Sequence, residues 1–245
     1  TARELSLLEL TTRAQETDST GLFPWDALRQ VADAGFLGML LPPAYGGSGA
    51  DLLSYIIVTE ELAKGCANTA LVFVTHVAAA HGILLGAREE IKKELLPVLA
   101  RGQKLVAWAA TEANSGANVL ALETTAKSQG DHYLVNGSKV FITSAEDAQY
   151  YVVIVRTGSA PGLASLSALL IEKDTPGFTT GRRFIRMGMN GTSSGELLFT
   201  DCRVEKKNLL GQEGGYMPLG MAMGAIGLLG GAAIGLGLAQ AALDL

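Results

Sequence analysis

Cysteine is scarce in this 245-residue chain, which carries only Cys66 and Cys202. The two cysteines lie far apart, without a C-x-x-C spacing and without grouped histidines beside them. A disulfide framework and a structural zinc site therefore both lack their usual residues. Because this cysteine usage fits a reducing compartment, we expect a cytoplasmic protein, or a mitochondrial matrix protein if the source is eukaryotic.

Positive charge is scarce as well. The chain has 19 Lys and Arg against 24 Asp and Glu, and its longest basic runs are the doublets Arg182-Arg183 and Lys206-Lys207. A net charge of −5 without a basic patch gives no electrostatic footprint for a polyanion, so we expect no nucleic-acid partner. The N-terminus mixes charged and apolar residues and lacks the apolar stretch of a secretory signal.

Charge is absent altogether from residues 214–243. This segment is long enough to cross a bilayer, and it contains small-xxx-small spacings such as Gly220/Gly224 that let membrane helices approach closely. A helix enclosed by other helices of a protein would have the same composition. We favour enclosure by protein and regard a membrane as an unlikely partner, with a membrane-docked interaction module as the alternative.

Helical periodicity dominates residues 23–102. It predicts one helix after Pro24 that ends near Gly35, followed by three more at residues 52–66, 69–85 and 88–99. Pro24 suits a first-turn position, and Pro97 is expected to bend or end the last of these helices. Between the first two helices, Pro42-Pro43 and Gly46-Gly47 predict a tight connecting loop. The first hundred residues are therefore expected to form an all-α unit.

After Gly102 the apolar period changes to two, which predicts short strands. Residues 123–128, 132–135 and 140–143 indicate a three-strand meander, with turns at residues 129–131 and at Asn136-Gly137. Further strands are predicted at residues 150–156, 166–172, 178–180 and 196–199 and around Val204. Many short antiparallel strands in about 105 residues indicate a small barrel or sandwich.

The chemically informative residues lie at two strand ends, in the segments 106–118 and 140–144. Each segment carries a threonine beside an aromatic or apolar residue, and the first runs into a loop of small residues whose backbone N–H groups could approach a flat or anionic ligand. Structural roles explain the same residues, because threonine favours strands and glycine favours turns. On these residues alone, the structural explanation is favoured over a ligand site.

Several ordered motifs over some 220 residues resemble the acyl-CoA dehydrogenase family. The motifs are Phe23-Pro24, Leu41-Pro42-Pro43-Ala44-Tyr45-Gly46-Gly47, residues 60–69, residues 95–102, Thr111-Glu112, Phe141-Ile142-Thr143, residues 187–197 and Asn208-Leu209-Leu210-Gly211. The resemblance implies an α+β multidomain protein with an α-helical N-terminal domain at residues 1–104 and an antiparallel β-barrel middle domain at residues 105–213. Residues 214–245 would be the first helix of an incomplete C-terminal helical bundle.

The resemblance also implies a cofactor and a reaction. FAD would lie between the barrel and the bundle, and an acyl-CoA thioester would undergo α,β-dehydrogenation with hydride transfer to the flavin. By position, Trp108 and Phe141 resemble the aromatic wall of the flavin ring, and Ala110, Thr111 and Thr143 resemble groups that hydrogen-bond it. Gly116 and Ala117 resemble the loop at the pyrophosphate and thioester. Family membership further implies a homo-oligomer, or a second chain that supplies the bundle, and an electron-transfer flavoprotein or similar acceptor.

Some positions depart from the family pattern. Ala117 and Asn118 stand where a serine or threonine and an aspartate are usual, Asn190 replaces an arginine, and Ala225 and Leu228 replace the acidic residue and the arginine near the CoA and acyl channel. Neither position of the family's catalytic glutamate is filled, because one lies beyond Leu245 and the other falls near Gly227. We therefore assign no catalytic residue. A non-catalytic scaffold or partner subunit of the same fold is the alternative.

No metal site is assigned. His76 and His81 lie about one helical turn apart, but no third ligand follows at a useful spacing, so we interpret both as core or domain-interface histidines.

Overall fold

The computed structural model describes residues 1–159 and 162–244. Its first hundred residues are helical, as the periodicity predicts. A long N-terminal helix consists of α1 (Ala2–Leu5), a π-helical segment (Ser6–Leu10) and α2 (Thr11–Thr20). The helices that follow are α3 (Trp25–Asp33), α4 (Leu52–Gly65), α5 (Ala67–Gly86) and α6 (Glu89–Ala100), and a last helix, α7, spans Tyr216–Leu243.

The four helices predicted between Pro24 and Leu99 are confirmed within a few residues at each end. Asp51 caps α4, because its carboxylate accepts the Ser54 N–H at 2.8 Å. Two details differ from the prediction. Pro24 is the N-cap of α3 instead of a first-turn residue, and α6 continues past Pro97 to Ala100.

The middle of the chain forms one sheet of eight strands in the order β6-β7-β3-β2-β4-β5-β8, with β1 paired to β4. The strands are β1 (Val106–Ala109), β2 (Thr125–Gln129), β3 (His132–Ile142), β4 (Tyr150–Arg156), β5 (Leu166–Glu172), β6 (Phe178–Arg183), β7 (Gly195–Glu205) and β8 (Leu209–Leu210). Most pairs are antiparallel, whereas β1 and β2 each pair with β4 in parallel. The predicted closed barrel is not confirmed, because β6 and β8 are the unjoined ends of the strand order among the described residues.

The predicted turn at Asn136-Gly137 is wrong. Both residues lie inside β3, where the register with β7 shifts between Val135 and Gly137 as in a β-bulge. Gly137 has φ +139°, a conformation that favours glycine, and the Asn136 amide exchanges two hydrogen bonds with Asp201 on β7. The residues that would make a hairpin turn therefore kink one continuous strand, and the predicted meander reduces to the β2–β3 hairpin.

Helix α5 is the central element that joins helices and sheet. His76 on this helix is 1% exposed; its Nδ1 accepts the Val106 N–H at 3.3 Å, and its Nε2 donates to the Leu99 carbonyl at 3.2 Å. Burial lowers the pKa of His76 to about 4, so the ring is neutral at neutral pH. The interpretation of His76 as a core histidine is confirmed, and the side chain ties α5, α6 and β1 together.

The glycines of α7 divide into two groups. A Cβ at Gly230 would come within 2.7 Å of Val74, and one at Gly237 within 2.8 Å of Ala63, so these glycines let α7 approach α5 and α4 closely. A Cβ at Gly224, Gly231 or Gly235 would meet nothing within 4 Å. By length and composition α5 and α7 could both cross a membrane, but α5 is largely a buried core helix, so this is weak evidence for a span.

Candidate functional site

The segments that follow β1 and end β3 lie side by side, and β1 passes beneath α7. The carbonyl of Thr111, just beyond β1, accepts the Val140 N–H of β3 at 2.9 Å, which brings Thr111 beside Phe141. Trp108 on β1 lies beneath α7, because a Cβ added at Gly227 of that helix would stand 3.3 Å from the indole ring. The absence of a side chain at 227 therefore leaves room for the indole. The region around Trp108, Thr111 and Phe141 is called the mouth below.

The Trp108 indole has an unused donor. Its Nε1 is buried, yet it has no hydrogen-bond partner within residues 1–159 and 162–244. A buried donor without a partner costs free energy, so such groups are often completed by a ligand or a water molecule. The unpaired Nε1 is therefore compatible with a polar, flat ligand against Trp108.

Phe141 has an unusual conformation for an aromatic residue. Its φ is +58° and its side chain is 61% exposed, and it lies inside β3 where the pairing with β7 is irregular. Left-handed backbone at a non-glycine residue is strained and is frequent at ligand sites. The ring packs on Phe184, with centroids 4.7 Å apart. Phe184 was not predicted as a site residue, and the signal available in the sequence was an aromatic residue just after β6.

Thr143 follows Phe141 at the end of β3 and is partly buried. The next residue, Ser144, is also left-handed, with φ +61°. Its N–H donates to the Thr192 carbonyl at 2.9 Å, and the Ala145 N–H donates to the Ser193 carbonyl at 3.1 Å. These bonds hold the turn after Thr143 against the loop that precedes β7, so the position of Thr143 is fixed from both sides.

Gly116 and Ala117 lie on an exposed loop beyond Thr111. The loop is closed at its base by two backbone hydrogen bonds between Glu112 and Ser115, of 2.8 and 3.2 Å. Asn118 caps the short 3₁₀ turn that follows, its side-chain oxygen accepting the Leu120 N–H at 3.2 Å. Asn118 thus provides a side-chain oxygen acceptor, as the usual aspartate would. A Cβ at Gly116 would meet nothing within 4 Å, which leaves space for a ligand.

A buried ion pair lies behind the mouth. Lys139 Nζ is 2.7 Å from Glu112 Oε1, and the two side chains are 0% and 6% exposed. Burial alone would raise the pKa of the Glu112 carboxyl, but the Lys139 ammonium and the backbone N–H groups of Glu123 and Thr124 outweigh it and lower the pKa. Burial lowers the pKa of Lys139 to about 8 against the opposing effect of Glu112. This ion pair was not predicted from the sequence. The signal available for it was a lysine at an inward-facing position of β3.

Asn190 and the histidines lie outside this mouth. The Asn190 N–H donates to Asp18 at 2.9 Å, and its side-chain oxygen accepts the Arg186 N–H at 2.9 Å, so the residue joins the loop before β7 to α2. His76 is part of the core, and burial also lowers the pKa of His81. In the described part of the chain, no group of three or more His, Cys, Asp or Glu is arranged to hold a metal ion.

Comparison with known proteins identifies the family. Residues 1–103 match the model of the acyl-CoA dehydrogenase N-terminal domain, and residues 107–202 match that of the acyl-CoA dehydrogenase middle domain. The chain is 36% identical over 243 residues to an acyl-CoA dehydrogenase of Bacillus subtilis, and 36% identical over 244 residues to a short-chain-specific acyl-CoA dehydrogenase of Clostridium acetobutylicum. Each alignment covers 99% of this chain and 64% of the relative.

A solved structure agrees with the sequence matches. Butyryl-CoA dehydrogenase from Megasphaera elsdenii superposes with a TM-score of 0.94 at 35% identity, over 99% of this chain and 65% of that one. The chain therefore belongs to the acyl-CoA dehydrogenase family, as its motifs predict. It spans slightly less than two thirds of the length of these relatives.

Proposed function

We propose that this chain carries the flavin-facing half of an acyl-CoA dehydrogenase that oxidises an acyl-CoA thioester with FAD. The observation that carries the proposal is the mouth at Trp108, Thr111 and Phe141. Phe141 presents an exposed aromatic ring in strained backbone, and Trp108 has an unpaired buried indole N–H below Gly227, a helix position without a side chain. A stack of aromatic walls with polar groups at the edge suits a flat, largely apolar ring system with polar edges.

FAD, when bound, would supply the redox centre that accepts a hydride from the β-carbon of the thioester. The residues of this chain would bind and orient the cofactor. Phe141 and Trp108 would wall the flavin ring, and the hydroxyls of Thr111 and Thr143 and the backbone of Ala110 would hydrogen-bond its polar edge. Gly116 and Ala117 would offer backbone N–H groups to the pyrophosphate. No residue of the chain is assigned as the base that removes the α-proton.

The substrate, partners and boundaries are part of the same proposal. The names of two relatives, one short-chain specific and one a butyryl-CoA dehydrogenase, support a short acyl chain. We further propose a homo-oligomer or a second chain that covers α7, an electron-transfer flavoprotein or similar acceptor, and a location in the cytoplasm or the mitochondrial matrix. The domain limits of 1–104, 105–213 and 214–245 remain predictions.

The proposal is tested by titrating FAD into the purified protein and into a variant that lacks both hydroxyls, T111V/T143V. Removing two hydrogen bonds to the flavin edge should weaken FAD binding by about ten-fold or more. T200V, which alters an exposed threonine on β7, is the matched control and should bind like the wild type.

Equal affinity of T111V/T143V and wild type would refute the assignment of these hydroxyls. A wild-type protein that binds no FAD would favour the alternative of a non-catalytic scaffold or partner subunit, an interpretation that already has the departures at Ala117 and Asn118 in its favour.

A further inference from the structure

The buried pair of Lys139 and Glu112 contacts the backbone that borders the mouth. Lys139 Nζ donates to Glu112 Oε1 at 2.7 Å and to the Ala110 carbonyl at 3.1 Å. The Glu112 carboxylate in turn accepts the N–H groups of Glu123 at 2.6 Å and Thr124 at 3.0 Å. One ammonium and one carboxylate thus tie the end of β1 to the start of β2 and to β3.

Thr111 lies between Ala110, whose carbonyl accepts a hydrogen bond from Lys139, and Glu112, the acidic member of the pair. Its own carbonyl accepts the N–H of Val140, the residue after Lys139, at 2.9 Å. Hydrogen bonds therefore fix Ala110, Thr111 and Glu112 in turn, and all of them run to β3 or to the start of β2. The pair itself does not line the mouth, because Lys139 has no exposed surface.

Stability alone is a poor explanation for such a pair. Desolvation of two charges offsets most of their attraction, and an apolar pair of similar volume often stabilises a protein as well or better. What an apolar pair cannot do is donate to the Ala110 carbonyl and hold the following peptide in one arrangement. A buried and fully hydrogen-bonded network rigidifies the groups around it.

We propose that Lys139 and Glu112 are positioning residues for the cofactor site, which hold the Ala110 backbone and the Thr111 hydroxyl in the arrangement that meets the flavin edge. This inference rests on the proposed function. It adds two residues that do not touch the cofactor and act through Ala110 and Thr111.

The test replaces the pair with neutral side chains of similar size in the variant K139M/E112Q. The glutamine oxygen can accept one of the two backbone N–H groups that the carboxylate holds, and no unpaired charge is buried. We therefore expect a folded protein whose thermal midpoint is lowered by the loss of buried hydrogen bonds, and not by an unpaired charge. FAD affinity should fall about ten-fold, because the donor to the Ala110 carbonyl is gone and the Thr111 hydroxyl is no longer held in place. The matched control is K207M/E205Q, which removes an ion pair of the same 2.7 Å length whose side chains are 58% and 62% exposed.

A second readout does not depend on flavin. In a W25F background Trp108 is the remaining tryptophan, two residues before Ala110. Its emission maximum and its quenching by acrylamide should change in K139M/E112Q and stay constant in the control. A wild type without FAD affinity would refute the proposed function, whereas the Trp108 signal would still decide the positioning role.

The inference is overturned if K139M/E112Q folds and shows unchanged Trp108 emission and quenching and, where the wild type binds FAD, unchanged affinity. Should the double variant fail to fold, E112Q alone decides. It is isosteric, and it removes the ionic hold on Lys139 together with one acceptor for the backbone N–H groups of Glu123 and Thr124. A loss of about three-fold in FAD affinity with altered Trp108 quenching supports the positioning role, and no change in either contradicts it.

Discussion

Gly230 and Gly231 are neighbours in α7 with opposite surroundings. A Cβ at Gly230 would press on the Tyr55 hydroxyl and stand 2.7 Å from Val74, whereas a Cβ at Gly231 would meet nothing within 4 Å. The Tyr55 hydroxyl is buried and donates to the Ile226 carbonyl at 3.2 Å, so it has little freedom to move aside. Alanine substitutions at these two neighbouring positions therefore have the same effect on helix propensity but different effects on packing.

Each substitution by alanine gains about 1 kcal/mol of helix propensity. For G231A nothing opposes this gain, so we expect the free energy of unfolding to rise by about 1 kcal/mol. In G230A, overpacking costs about 1–3 kcal/mol, and displacement of the Tyr55 hydroxyl adds about 1 kcal/mol or more. We expect a net loss of about 2 kcal/mol for G230A.

Urea unfolding followed by circular dichroism measures both values, provided that the slope m stays constant across the variants. The same substitution in a Y55F background should be less harmful, because part of the clash is removed. Changes of the same sign in G230A and G231A would refute the packing of α7 on α4 and α5.

Three further predictions test other parts of the structure. Burial lowers the pKa of His76 to about 4, whereas the pKa in the unfolded chain is about 6.5. Between these pH values the unfolded state binds more protons than the folded state. The free energy of unfolding should therefore fall by about 3 kcal/mol as the pH drops from 6.5 to 4. Urea unfolding against pH should show a fall in stability that is smaller by about this amount in H76Q than in the wild type, because His81, whose pKa is also lowered, contributes in both. G137A should cost about 2 kcal/mol or more in the same assay, since φ is +139° and the new Cβ would meet Thr124 at 2.7 Å, whereas G130N, in an open turn at φ +58°, should be tolerated. N68A leaves the buried Gly191 N–H, now 2.8 Å from Asn68 Oδ1, without its acceptor, and should lower the thermal midpoint by an amount equivalent to about 1–3 kcal/mol; an unchanged midpoint would contradict that contact.

Local patterns predicted most of the elements well. The strands at Tyr150–Arg156 and Leu166–Glu172 agree with prediction to the residue, because both are continuous apolar runs bounded by polar residues. The turn at Asn136-Gly137 failed because the same residue types serve a hairpin turn and a β-bulge. Only the partner strand β7, some 65 residues further along, selects the bulge. Sheet closure is likewise a long-range property that strand periodicity does not contain.

For the candidate site, the motifs indicate the residues that we propose face the ligand, but not the residues behind them. The glycines of α7 had no explanation in sequence, because their packing partners Val74 and Ala63 lie on helices more than 150 residues earlier. The role of Lys139 was hidden for the same reason, since its partner Glu112 lies on a different element. A charged residue in an inward strand position was the one available signal.

The most direct test of the central claim is the absorbance spectrum of the 245-residue protein after incubation with FAD and removal of the free cofactor. The flavin site at Trp108, Thr111 and Phe141 should retain FAD, with an oxidised band at about 450 nm and quenched Trp108 emission in the W25F background. A colourless protein whose Trp108 emission is unaffected by FAD would contradict the assignment of this mouth as a flavin site.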